Sequence, residues 1–430
     1  MTLSSGAEAS ALMFSGVFVG CLALSLVFRL WLMMRQSRHV ARHRHVVPAA
    51  FAQSISLSAH QRAAAYTEAR LRLALLEAFV QAAWLIVLTM MGGLQWLISV
   101  TALLPPGWDL TRSVVLMSAV LIVGGLIDLP FAWWRQFRLE ERFGFNRMTP
   151  GLFLADLIKS TLIGAVLGLP LLVAILAVMD AAGSTWWIWA WLIWITFNVV
   201  VLLVFPTFIA PLFNRFEPLP EGAVRDRVQA LLVRTGFSAR GLFVMDGSRR
   251  SAHGNAYFTG FGRARRIVFF DTLLNQLDAD EIEAVLAHEL GHFRLRHLQK
   301  RLLMLSLGSF LALAALGWLA QQPWFYLGLG IVPDQAVLNA CALILFMIVA
   351  PVFLFPMGPV ASALSRRDEF AADAFAAQAT RAEALASALT KLYRDNAAPL
   401  SSDPIYSAMH DSHPPALQRI SQLLATAHGS

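Results

Sequence analysis

Hydrophobic positions dominate long uninterrupted stretches of this chain, and polar residues return in short basic clusters and in two long segments. A membrane helix needs about 20 apolar residues. Runs near 11–34, 75–104, 113–134, 152–179, 185–205, 302–321 and 337–357 meet that length. The run at 75–104 is longer than a span needs, which predicts a tilted helix or one that projects beyond the bilayer. The first run has no basic stretch before it and is too long for a secretory core, so it reads as an uncleaved anchor.

Loop charge sets an expected orientation. Arg35, Arg38, Arg42 and Arg44 follow the first run, and Arg135, Arg138, Arg142 and Arg147 follow the third. The loops 105–111, 180–184 and 322–336 hold no Lys or Arg. Seven crossings with the N-terminus outside satisfy every loop. The parts are then 1–205 with five spans, a polar segment 206–301, two further spans within 302–357, and a polar segment 358–430. Both polar segments fall on the cytoplasmic side, where they can form one split domain. The fold expected is a mainly α membrane protein of about seven transmembrane helices with a split α+β domain.

Within the first polar segment the period changes from element to element. Residues 222–236 have helical spacing, and 240–246 form a short apolar strand ending at Asp-Gly. Residues 253–262 and 265–271 read as two strands of a hairpin turning around Gly260–Gly262. Asp278 opens a helix as N-cap, with Glu281 three residues on.

Composition narrows the class. Of 430 residues, 57% are hydrophobic and 14% charged, against about a quarter charged in a soluble domain. So few charges cannot cover a globule of this size, and lipid must solvate much of it. The net charge of +7 sits in loops beside apolar runs with no basic stripe interleaved with aromatics, which argues for membrane topology and against nucleic-acid binding. Lys159, Lys300 and Lys391 are the only lysines; with abundant alanine this points to a GC-rich, bacterial source. Cys21 and Cys341 both lie in apolar runs and read as small packed residues, not as a disulfide or metal pair.

The chemistry lies in His288-Glu289-Leu290-Gly291-His292. Histidines at i and i+4 share one helical face, so both imidazoles can meet one Zn²⁺ at about 2.0–2.1 Å. Glu289 projects from the adjoining face and suits a base for the attacking water. Chance alone produces such a motif in about one chain in a hundred of this length. A catalytic zinc site takes three protein ligands and keeps one position open. A metzincin would place histidine at 298, where Leu298 stands; His297, one residue off, reads as a solvated histidine on a basic helix end. The third ligand must then be a distant carboxylate. Glu369 is the best candidate, in an Ala-rich helical stretch directly after the last span. Asp373, one turn on, either accepts the free N–H of a zinc-bound histidine or lies on a solvated face beside Arg366 and Arg367; spacing does not separate these. On local sequence His413, before Pro414 and Pro415, is a loop histidine and Arg419 a surface arginine. Asn255 is a turn residue and Tyr257 a packed strand aromatic.

An ordered set of blocks then carries a resemblance. They are Glu141-Arg-Phe-Gly-Phe-Asn146, Pro211-Leu-Phe-Asn-Arg-Phe216, Asp246-Gly-Ser-Arg-Arg-Ser251, His253-Gly-Asn-Ala-Tyr-Phe258 and Asp271-Thr-Leu-Leu274. The His288–His292 motif, residues 365–373, and His413-Pro-Pro415 with Arg419 complete the set. Over nearly its whole length the chain resembles the type I CAAX prenyl proteases, the Ste24-like branch of the M48 zinc peptidases. The resemblance implies a gluzincin-like zinc protease domain with a small β-sheet, and membrane helices enclosing a water-filled chamber. It implies one Zn²⁺ per chain held by His288, His292 and Glu369, with Asp373 and Arg419 supporting the site. Asn255, Ala256 and Tyr257 would belong to an edge strand that binds substrate, and His413 would hold the substrate carbonyl. Gly254 stands where the family commonly has serine. The chain ends without the retrieval signals of some eukaryotic members, which fits a bacterial homologue in the inner membrane. The expected partners are a peptide or protein substrate, prenylated or otherwise membrane-near, and membrane lipids. Two other functions compete: quality control of membrane proteins without prenyl specificity, and a non-catalytic membrane scaffold. The intact Glu289 argues against the scaffold. Natural substrate, cleavage position and oligomeric state are left open by the sequence.

Overall fold

The computed structural model describes residues 5–259 and 266–428. Among these are seven helices long and apolar enough to cross a membrane: Gly6–His43, Leu57–Leu88, Asp109–Glu140, Pro150–Ala181, Gly183–Phe213, His297–Leu319 and Gln335–Ala379. Each expected run falls on one of them, except that 75–104 extends well past Leu88 and 302–321 ends two residues past Leu319. A helix of 32 residues, as in the second span, rises about 48 Å, against a hydrocarbon thickness of about 30 Å. The polar ends therefore project into water.

The second run is corrected by the structure. The expectation was one long span over 75–104; instead the span begins at Leu57, capped by the Ser56 side chain, and ends at Leu88. Gly92 then takes a left-handed conformation (φ 76°), and a separate short helix, Gly93–Thr101, follows. Hydropathy misses the polar first half of this helix because its apolar side chains are too sparse to mark it.

The spans pack tightly at one end. Phe18, Leu88, Leu94, Leu116, Leu176, Trp186 and Leu316 share one buried cluster, and by chain order they lie at the span ends remote from the polar segments. Toward the other end the second and third spans pack again through Tyr66 and Leu139. The most apolar stretch of the fifth span has no buried residue at all.

The two polar segments fold as one body. Four strands, β1 (Phe216–Pro218), β2 (Gly241–Met245), β3 (Ala256–Thr259) and β4 (Arg266–Phe270), form a sheet of order β1-β2-β4-β3. β2 and β4 are parallel and the outer pairs antiparallel. β3 and β4 pair as the hairpin pattern predicts; their turn at Gly260–Gly262 lies outside the described residues. The helix Ala279–Arg294 carries the His-Glu motif and starts with a full capping box, Asp278 and Glu281 each bonding the other's backbone. The helix Gly358–Ala379 carries Glu369. It continues the seventh span through a short 3-10 joint at Phe355–Met357.

One hydrophobic core draws on both segments, with Ile267, Phe269, Leu286 and Leu290 against Leu385 and Ile420. Burying such side chains contributes roughly 2 kcal/mol each, enough to hold the halves together across the intervening spans. Buried Glu281 adds a polar pin: it accepts from Ser387 Oγ at 2.7 Å and Lys391 Nζ at 2.6 Å.

The 141–147 loop after the third span docks onto this body. Gly144 (φ 75°) makes the turn, Asn146 bridges Ser251, and Phe145 O accepts from Ala252 N at 3.1 Å. His253 stacks on Phe145 with ring centroids 4.5 Å apart. Its Nδ1 lies 3.0 Å from Asn396 Oδ1 and its Nε2 3.7 Å from Glu140 Oε2. Both ring nitrogens thus face oxygens, which favours the imidazolium. The Glu140 contact, against the opposing effect of burial and with help from Asn396, raises the pKa of His253.

A group whose folded pKa is raised stabilises fully below its unfolded value, about 6.5 for histidine, and that contribution is lost as pH rises through the folded value. The melting temperature of the detergent-solubilised protein should therefore fall as pH rises above the free-histidine value of about 6.5, and His253→Gln should flatten that slope. A slope identical in the two proteins would remove His253 from this role.

Candidate metal centre and peptidase site

The His-Glu helix and the Glu369 helix lie backbone to backbone because Gly291 has no side chain. A Cβ at Gly291 would stand 3.0 Å from Ala372 Cα and 3.1 Å from Ala372 O. The contact brings three donor groups together. His288 Nε2 and His292 Nε2 are 3.2 Å apart. Glu369 places Oε2 3.5 Å from His288 Nε2 and Oε1 3.3 Å from His292 Nε2. His288 and Glu369 are buried and His292 is partly so.

This geometry fits a zinc ion. Donors held about 2.0–2.1 Å from one tetrahedral ion stand about 3.3 Å apart. Two imidazoles and a carboxylate with a fourth position open are the donor set of catalytic zinc. Glu369 Oε2 is also buried without a well-aligned hydrogen-bond donor, a costly state unless a cation meets it. Burial opposes the charged form of His288, yet the carboxylates of Asp373 and Glu369 lift its pKa to about 9. The surroundings thus favour positive charge at the ring.

The far side of each imidazole is held as well. His288 Nδ1 lies 2.8 Å from Asp373 Oδ1. Asp373 in turn receives Arg419 Nε at 2.8 Å and Nη2 at 2.6 Å. Both Asp373 and Arg419 are buried, so removing either partner strands a charge out of water, typically at 3–5 kcal/mol. Of the two readings of Asp373 that spacing left open, the geometry favours the contact with a histidine over a solvated face.

His292 has a partner that sequence reasoning misjudged. His297 is not solvated: it is 3% exposed, and its Nδ1 lies 2.9 Å from His292 Nδ1. Its Nε2 lies 3.4 Å from Asp368 Oδ1. If Nε2 of His292 is to ligate, Nδ1 must carry the proton and donate to His297, whose own Nε2–H then points to Asp368. Arg296, in a left-handed conformation (φ 58°), reverses the chain between the His-Glu helix and the sixth span and seats His297 there. The available signal was a histidine directly between the motif helix and an apolar run.

Glu289 lines a cavity of about 400 Å³ together with His288, His292, Glu369, His413, Tyr257, Phe258, and Leu202 and Arg301 from the spans. Burial pushes its carboxyl pKa up. The His413 side chain is 64% exposed at the rim, with Nδ1 2.8 Å from Glu369 Oε2. Of the three strand residues named from the sequence, Tyr257 faces the cavity. Ala256 is buried in the core behind the sheet, and exposed Asn255 does not line the cavity. At Gly254 a Cβ would meet Gln276 Oε1 at 2.5 Å, so this chain fills with glutamine the space a serine would need.

A histidine pair and a buried carboxylate, set beside an unpaired carboxylate in a cavity that reaches between membrane helices, define a membrane metallopeptidase. Comparison with known proteins agrees. The profile described as CAAX prenyl protease N-terminal, five membrane helices, matches residues 36–215, and that of peptidase family M48 matches residues 218–427. A CAAX prenyl protease 1 homolog of Arabidopsis thaliana is 32% identical over 417 residues, 95% of this chain and 97% of the relative. The Saccharomyces cerevisiae CAAX prenyl protease 1 is 34% identical over 327 residues, covering 73% of this chain and 72% of the relative. The crystal structure of S. mikatae Ste24p superposes with a TM-score of 0.89 at 27% identity, covering 95% of this chain and 99% of that one. The chain belongs to peptidase family M48, in its CAAX prenyl protease branch.

Glu369→Ala should reduce bound zinc, measured by elemental analysis, from about one per chain to near zero; unchanged zinc would reassign the third ligand. His297→Phe should weaken zinc affinity about 10–100-fold, as loss of a ligand's outer partner does, while His297→Gln, which can still accept from His292, should recover part of it. Competition with a chelator measures both, and equal affinity in all three proteins would reduce His297 to a packing residue.

Proposed function

We propose that this protein is a zinc endopeptidase that hydrolyses peptide bonds near the C-terminus of prenylated or otherwise membrane-near proteins. The observation that carries the reading is one cavity shared by the three donor groups, Glu289, the sheet edge at Tyr257 and Phe258, and side chains of the membrane spans. A substrate held to the bilayer by a lipid can present its polypeptide there without leaving the membrane. The basic loops support an orientation with this body on the cytoplasmic side.

β3 pairs with β4 on one side only, at the edge of the sheet. An extended peptide can add to its free side through backbone hydrogen bonds, a mode that tolerates varied side chains. His288, His292 and Glu369 would hold the zinc ion, which when bound supplies Lewis-acid polarisation of a water and of the scissile carbonyl. Glu289 makes no ion pair among the described residues, so its carboxylate is free to accept the proton of the attacking water. It then returns that proton to the leaving amine. Its burial-raised pKa brings it nearer the range in which a carboxylate exchanges protons efficiently around neutral pH. His413 lines the rim of the cavity with a largely exposed side chain, and we assign it the donor to the carbonyl oxygen as negative charge develops. Asp373 and Arg419 do no bond-making; they keep His288 in the orientation that points Nε2 inward.

Glu289→Gln should retain about one zinc per chain and slow cleavage of a farnesylated CAAX reporter by at least 10²-fold; near-normal rates would end the mechanism. The same reporter without its lipid separates the substrate classes. A strong preference for the lipidated form supports the CAAX reading, and equal rates favour general clearance of membrane proteins.

A further inference from the structure

A second cavity, about 740 Å³, opens between the second and third spans at the end that meets the protease body. From the second span it is lined by Ala69, Arg72, Leu73 and Leu76, and from the third by Phe131, Trp134 and Arg138, with Arg142 beyond. The spacing 69, 72, 73, 76 is one helical face, and 130, 131, 134, 138 is another. Glu77 follows Leu73 by one turn and Arg135 follows Phe131 by one turn; the two pair with each other beside the crevice, and Gln81 donates to Asp128 further along. Leu76 and Trp134, each more than half exposed, present apolar surface at the crevice, and lipid solvates exposed apolar side chains on a membrane-spanning stretch.

Its charge is one-sided. Arg72 has a carboxylate only at 3.8 Å, from Glu68. Among the described residues Arg138 and Arg142 have no carboxylate within ion-pair distance. Arg142 lies over the Phe143 ring at 5.6 Å. No acidic side chain lines the cavity. By chain order Leu76 and Phe131 lie farther from the protease body than Arg138 and Arg142, with Trp134 between on the third span, a position that suits an interfacial aromatic.

We propose that this crevice is a specific site for an anionic phospholipid. The headgroup phosphate is held by Arg72, Arg138 and Arg142, and an acyl chain lies against Leu73, Leu76 and Phe131. Charge decides the class: a zwitterionic headgroup brings no net charge to three arginines whose one carboxylate contact among the described residues is Glu68 at 3.8 Å from Arg72. Planar guanidinium donors match phosphate oxygens in pairs. The site also touches the docked loop, since Leu139 and Phe143 line it and pack with Tyr66 and Phe145. A bound lipid therefore braces the junction between the spans and the protease body.

The test uses full-length zinc-loaded protein in phosphatidylcholine nanodiscs. Phosphatidylglycerol with the same acyl chains is titrated in, and bound lipid is counted by native mass spectrometry. One phosphatidylglycerol should be retained per chain in clear preference to phosphatidylcholine. The triple variant R72Q/R138Q/R142Q should lose that preference, on the order of 100-fold in affinity at roughly fivefold per arginine. Inorganic phosphate at the same concentration should not displace the lipid. Leu73→Trp with Leu76→Trp, which fills the crevice and keeps every charge, should also block retention, and it covers the case in which the triple variant fails to fold. Equal retention of the two lipids, or preference that survives in both variants, would overturn the site. Displacement by phosphate alone would make it a free-anion site and overturn the lipid assignment.

Discussion

Everything catalytic in this molecule depends on two helices approaching closely enough for three donor atoms to converge. Gly291 permits the approach, with Ala372 filling the space where a side chain would be. The three donors then stand 3.2–3.5 Å apart, the spacing of ligands around one small cation. A metal ion held by all three would tie the two helices together across this contact. The outer partners are arranged accordingly: Asp373 with Arg419 behind His288, and His297 with Asp368 behind His292.

That convergence is tied directly to the membrane. The Glu369 helix is the extension of the seventh span, and His297 is the first residue of the sixth. The candidate metal site is therefore tied to two spans, through Glu369 on one side and through His297 behind His292 on the other. The spans share one buried cluster at their far end, and the second and third spans pack again near the protease body, where Tyr66 and Leu139 are buried with Phe143 and Phe145. Between these two contacts lie the polar pairs Glu77–Arg135 and Gln81–Asp128 and the arginine-rimmed crevice.

Chain order hides the strongest contacts. Residues 206–301 and 358–430 are separated by two crossings, yet Leu286 and Leu290 share a core with Leu385 and Ile420. Glu281 is bonded to Ser387 and Lys391. Such long-range burial gives the domain its cohesion despite its interruption, because separating the halves would expose apolar surface and an unpaired buried carboxylate together.

Periodicity and loop charge by themselves determined seven crossings, the side shared by the two polar segments, the capped helix under the His-Glu motif and the β3–β4 pairing. Each is a local property, set by side chains within a turn or a strand of one another and by solvation of each segment. Spacing and context already made Glu369 the candidate third ligand, and the block pattern added Arg419 beside it by resemblance. Only tertiary structure decided what depends on distant neighbours. It turned Asp373 toward His288 and not toward Arg366. It buried His297 against His292, where the sequence suggested a solvated side chain. It divided the 75–104 run at Gly92 and began that span at Leu57. It set Tyr257 facing the cavity while Ala256 turned into the core. The physical reason is common to all four: a side chain's neighbours across the fold set its partner and its exposure, and hydropathy or spacing along the chain carries no record of them.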